Sequence, residues 1–104
     1  MDIFPKFIIE TDDDLGDCLI LSKCTYHKDL VTDPTKVKGG GMFILKDGTF
    51  TFYGTSQDFG PATLEDIQNC VDNNNVYTNP TCSYPITNGY KFFYDTQSEI
   101  IPLN

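Results

Sequence analysis

Gly39-Gly40-Gly41-Met42-Phe43 opens the stretch that decides the fold, and Tyr53-Gly54-Thr55-Ser56-Gln57-Asp58-Phe59-Gly60-Pro61-Ala62 closes it. Three glycines, which permit positive φ and close backbone approach, lead into an apolar run from Met42 to Leu45. Asp47-Gly48 is a favoured two-residue turn, so residues 42–45 and 49–53 read as a hairpin. Alternation puts Phe50 and Phe52 on one side of it, and Thr49, Thr51 and Tyr53 on the other. A loop bracketed by Gly54 and Gly60 then runs straight into a helix start. Loops between a strand end and a helix N-terminus are common places for anion chemistry. The single histidine, His27, falls at another expected strand end. The question raised is whether His27 and this loop face one another.

Working outward, Thr63-Leu64-Glu65-Asp66 approximates a capping box, with Asp66 where Glu or Gln is usual. Leu64, Ile67, Cys70 and Val71 recur at helical spacing, which predicts one main helix over about 63–73. Val76-Tyr77 starts another strand. On the N-terminal side, residues 6–10 read as a short strand and residues 11–16 as a turn, because crowded carboxylates and a glycine do not suit a strand interior. Asp12 and Asp14 alternate as in a calcium loop, but the closing glutamate is replaced by Lys23, so a solvated hairpin turn is expected. Residues 17–26 form the longest strand candidate. Cys18, Ile20, Ser22, Cys24 and Tyr26 share one face; Leu19, Leu21, Lys23, Thr25 and His27 share the other. Residues 28–38 form a polar connection carrying Lys28, Lys36 and Lys38, the densest positive charge in the chain.

Residues 78–104 differ in texture, punctuated by Pro80, Pro85 and Pro102. Asn88-Gly89 predicts a hairpin between residues 82–87 and 90–94, packed on the same domain or offered to another chain. The organisation expected is therefore a core over 1–77 and a C-terminal hairpin extension over 78–104. The class is α/β in the α+β sense: a single domain with a mixed sheet of about five to six strands and one main helix.

The 104 residues carry a net charge of −8, and all seven basic residues are lysine. So acidic a chain lacks the clustered cations that nucleic acid or an anionic membrane surface requires, so neither is an expected partner. Cys18, Cys24, Cys70 and Cys82 show no Cys-x-x-Cys spacing and there is one histidine, so no metal site is expected. The N-terminus lacks a signal-peptide pattern and no run approaches a membrane span, which points to reduced thiols and a cytoplasmic setting.

Taken in order, Lys6-Phe7-Ile8-Ile9, Thr25-Tyr26-His27-Lys28, the triple glycine, Tyr53-Gly54-Thr55-Ser56 and Phe59-Gly60-Pro61-Ala62 resemble the janus/ocnus family, whose best-known members are the small phosphohistidine phosphatases. The resemblance spans about residues 4–77. It implies a mixed sheet with helices and a shallow site for hydrolysis of P–N bonds without cofactor or metal. By position it makes His27 the general base or transient phosphate acceptor. Lys6, Ser56 and the backbone after the histidine, at Lys28, become phosphate binders. The implied substrate is a phosphorylated protein or a small phosphoramidate.

The chemistry is reasonable for these residue types. A neutral imidazole takes a proton from water near pH 7, and lysine and serine donate to phosphoryl oxygens. Each residue also has a plainer reading: His27 as a hydrogen-bonding strand-end residue, Lys6 as a solubility charge, Ser56 as a turn residue bonding its own backbone. The family places arginines where this chain has Met42 and Leu19, and lysine does not replace a planar fork. That departure supports an alternative, a catalytically inactive interaction module on the same fold. Its contact, with a protein partner or in a homodimer, would be the aromatic run Tyr90-Lys91-Phe92-Phe93-Tyr94. A free-standing nucleotide-binding protein is weaker, since neither a Gly-Lys-Ser/Thr sequence nor a dinucleotide fingerprint follows the glycines.

Overall fold

A computed structural model describes residues 4–24, 26–78, 86 and 89–104. The expected alternating segments become strands, and the strands form one curled, mixed sheet. In chain order these are β1 (Phe4–Asp12), β2 (Gly16–Cys24), β3 (Val37–Lys46), β4 (Thr49–Tyr53), β5 (Val76–Thr78), β6 (Lys91–Asp95) and β7 (Ile100–Pro102). Two short 3-10 turns, His27–Leu30 and Pro34–Lys36, link β2 to β3, and α1 (Leu64–Asp72) links β4 to β5. The spatial order is β5-β2-β1-β3-β4-β6-β7. The β2–β5 and β4–β6 pairs are parallel, and the other four are antiparallel. The α+β class holds, with seven strands among the described residues rather than five or six. No helix among these residues is long and apolar enough to cross a membrane.

Alternation divides the sheet into two faces. Phe7, Ile9, Leu19, Leu21, Phe43, Phe50, Phe52 and Phe92 form the main core with Ile67, Cys70 and Val71 of α1. Phe7 meets Phe52 edge-on at 5.2 Å, and Phe50 stacks on Phe92 at 5.3 Å. The helix starts as expected: the Thr63 hydroxyl caps it by accepting from the Asp66 N–H at 3.1 Å. Ile8 and Cys18 occupy the opposite face, where the connection between β2 and β3 lies, with Leu30 buried and the Thr32 N–H donating to Glu10 Oε1 at 2.8 Å.

Several expectations are corrected. The three glycines do not precede the strand, although the close backbone approach expected of them is present. They sit inside β3, the longest strand, and positive φ is found instead at Gly16, Gly48, Gly54, Gly60 and Gly89. What Gly39–Gly41 require is space. A Cβ at Gly39 would run into the backbone of Pro61, one at Gly40 would lie 2.5 Å from Phe7 O, and one at Gly41 2.6 Å from Tyr53 O. The loop after β4 docks there, with Gly40 N–H donating to Gly60 O and Ser56 N–H donating to Gly40 O, both at 3.0 Å. β2 ends at Cys24 rather than Tyr26. The acidic turn is held by Asp12 Oδ1, which accepts from the Asp14 and Leu15 N–H groups.

The first strand of the expected C-terminal hairpin lies largely outside the described residues, as does Cys82. Its second strand, β6, lies between β4 and β7. Phe92 is 0% exposed and belongs to the core, Tyr94 packs against that core, Phe93 is half-buried, and Tyr90 and Lys91 are exposed. The chain beyond β7 continues this edge. Leu103 N–H donates to Phe92 O, and the Asn104 side chain accepts from Phe92 N–H and donates to Tyr90 O.

Gly39→Ala is expected to destabilise the protein by about 2–3 kcal/mol, because backbone on the facing loop, not a yielding side chain, occupies the new methyl's space. Urea unfolding of the variant checks it; a loss under about 0.5 kcal/mol would contradict the close approach.

Candidate functional site

The glycine stretch also makes the seat for His27. The chain leaves β2 at Cys24, and the 3-10 turn carries His27 onto the face of Ile8, not the face of Leu19 and Leu21 that strand alternation predicts. The imidazole lies over Gly40: a Cβ there would sit 3.2 Å from His27 Cδ2 and 3.3 Å from Ile8 Cγ2. His27 is 5% exposed, and its Nε2 is 2.7 Å from Gly41 O. A carbonyl can only accept, so Nε2 carries the proton and Nδ1 is the lone-pair nitrogen of the neutral ring. Burial pushes the His27 pKa below 6.5. The Gly41 bond opposes that shift, Lys6 adds to it and Asp58 opposes it.

His27 lines a cavity of about 490 Å³ with Phe4, Lys6, Tyr26, Met42, Tyr53, Thr55, Gln57 and Asp58. The histidine and the loop after Gly54 therefore do face one another. Lys6, paired with Met42 across β1 and β3, is half-buried; its Nζ donates to Cys24 O at 2.9 Å and lies 5.2 Å from the Phe4 ring centre. One end of β1 and the turn after β2 thus bring Lys6 and His27 together.

No protein-family model, curated protein or solved structure matches this chain.

The Ser56 hydroxyl and the Lys28 ammonium stand apart from that pair. Ser56 is 2% exposed, and its Oγ accepts from the Phe59 N–H at 3.1 Å inside its own loop. It does not line the cavity. The exposed Lys28 extends over the Tyr26 ring, Nζ 5.0 Å from its centre, and does not line the cavity either. The other lysines of the polar connection are engaged elsewhere: Lys36 with Asp13, and Lys38 with Asp17 and Asp66. Lys6 is consequently the one ammonium in the cavity lining. Sequence reasoning missed Asp58, Gln57, Thr55 and Tyr53 as lining residues. Their signal was the loop bracketed by two glycines, which marked the segment but not which side chains turn inward. Among the described residues, no group of His, Cys, Asp or Glu is placed to hold a metal ion, and Cys24 and Cys70 are free thiols.

The His27 shift has a sign that can be checked. Between the lowered folded pKa and 6.5 the unfolded chain holds more protons on this group than the folded one. Its contribution to stability is therefore fully present above 6.5 and is lost as pH falls through the folded pKa. The sole imidazole is expected to titrate by NMR with a midpoint below 6.5; a midpoint at or above that value contradicts the buried neutral seat. Ser56→Ala should lose about 1 kcal/mol in urea unfolding, since it orphans the Phe59 N–H.

Proposed function

We propose that the protein is a phosphohistidine- or phospholysine-phosphatase-like hydrolase of P–N bonds, on a scaffold of the janus/ocnus kind. One observation carries this reading: Lys6 and His27, 21 positions apart (27 − 6), line the same cavity. Lys6 supplies the charge-assisted donor that holds a phosphoryl oxygen. His27, neutral and protonated at Nε2, offers Nδ1 as general base toward attacking water or as a transient phosphate acceptor. In the general-base route, the water oxygen forms a bond to phosphorus and its proton passes to Nδ1. The P–N bond breaks with its electron pair going to nitrogen. Gly41 O fixes the ring, so no reorientation is needed when charge develops on it.

A second reading has its own support. Ser56 turns inward, Lys6 is the sole ammonium of the lining, and a carboxylate, Asp58, stands in the same cavity. These features suit a catalytically inactive module that binds its partner through this cavity.

Release of phosphate from phosphohistidine- and phospholysine-containing polypeptides separates the two. The hydrolase is expected to exceed the buffer rate, to lose about 100-fold or more in His27→Ala, and to show a KM raised about tenfold in Lys6→Ala. A rate at background, or one indifferent to His27→Ala, removes the hydrolase and leaves the binding module.

A further inference from the structure

The charged lining of the His27 cavity has two members of opposite sign, Lys6 and Asp58. His27, in the same lining, is neutral above its lowered pKa, and the remaining lining residues are uncharged. The two charges are not consumed by each other. Lys6 Nζ is bonded to the Cys24 carbonyl, and the salt bridges among the described residues all lie elsewhere, on Lys36 and Lys38. Both act on the imidazole, with opposite signs. A phosphate monoester, which is a dianion with no cation of its own, would meet one attractive and one repulsive charge here. A ligand carrying a cation beside its phosphoryl group would satisfy both.

The phosphoramidate of an alkylamine is such a ligand. Its nitrogen is protonated at neutral pH, so a positive nitrogen is bonded directly to the phosphoryl dianion. We propose that Asp58 is the specificity-determining residue of this cavity, holding the positively charged nitrogen of an alkylamine phosphoramidate while Lys6 holds the phosphoryl oxygens. This rests on reading the cavity as a phosphoryl site. The protonated nitrogen is also the one that leaves well: when the P–N bond breaks, the electron pair returns to nitrogen and a neutral amine departs. Asp58 favours that protonated form in the bound state. Discrimination against phosphate monoesters follows from repulsion as much as from attraction.

The test uses the intact protein and two stable probes, aminomethylphosphonate and methylphosphonate. They share a phosphonate group and differ in an ammonium. At about pH 8.5 both are dianionic at phosphorus and the His27 imidazole is neutral. Binding is read on the signal of His27, the only histidine in the chain. Aminomethylphosphonate is expected to bind at least about fivefold more tightly, the gain of one solvent-accessible ion pair. Asp58→Asn should abolish that preference. The proposal is overturned by equal affinities in the parent protein, by a preference that survives Asp58→Asn, or by failure of both probes to bind. Phosphate release from phospholysine polypeptide is measured alongside. A probe preference without turnover keeps the Asp58 assignment and removes the hydrolase; turnover without the preference does the reverse.

Discussion

The bond between His27 Nε2 and Gly41 O depends on a strand bare of side chains where three other pieces of backbone press in. Phe7 O of β1, Tyr53 O at the end of β4 and Pro61 in the following loop all lie within the reach of a methyl group placed on Gly39, Gly40 or Gly41. Close approach here does two jobs. It lets the loop between β4 and α1 bond directly to the middle of β3, and it leaves a shallow bed over Gly40 into which an aromatic ring fits. The same glycines therefore join the sheet, the loop and the imidazole. Larger residues would separate all three, because the atoms opposite are backbone with little freedom to yield.

Chemical character follows from that seat. Burial of a ring 5% exposed favours its neutral form, and the bond to the Gly41 carbonyl, which opposes that shift, fixes the tautomer. Fixing the tautomer costs little once the turn after β2 has delivered the ring. Lys6 is kept nearby by a backbone carbonyl of the neighbouring strand rather than by a carboxylate, so its positive charge is not cancelled where it is held. The opposite arrangement occurs on the far side of the connection, where Lys36 and Lys38 are matched with Asp13, Asp17 and Asp66. A strongly acidic chain thus neutralises two of its lysines and leaves one ammonium at the cavity, beside a carboxylate that keeps the local charge balanced. Exposed pairs of the first kind contribute little to stability, about 0–1 kcal/mol each. Their consequence is that Lys36 and Lys38 are engaged away from the cavity.

Much of this was legible in local patterns. The Asp47-Gly48 turn, the alternation of Phe50 and Phe52, and the spacing of Ile67, Cys70 and Val71 each report a geometry set within a few residues. The Thr63 cap is equally local. Harder to read were the features whose partners are remote. The three glycines look the same in a loop as in a strand until Phe7 and Pro61 are known to lie against them. β7 is three residues long and ends in proline, too short for periodicity to register. β6 has a partner on each side, and its parallel pairing with β4 spans some forty residues of chain.

By itself the sequence determined an α+β domain with a phenylalanine-rich core, a capped helix, and an acidic surface in which one histidine and one glycine-bracketed loop stood out. Those are consequences of hydrophobic period, turn chemistry and charge, which act between neighbours. Only the tertiary structure decided that His27 crosses to the Ile8 face, that the Ser56 hydroxyl is spent inside its own loop, and that Asp58 shares a cavity with Lys6. Side-chain direction beyond a strand end is set by where the chain next finds a backbone partner, and for His27 that partner is a carbonyl fourteen residues away.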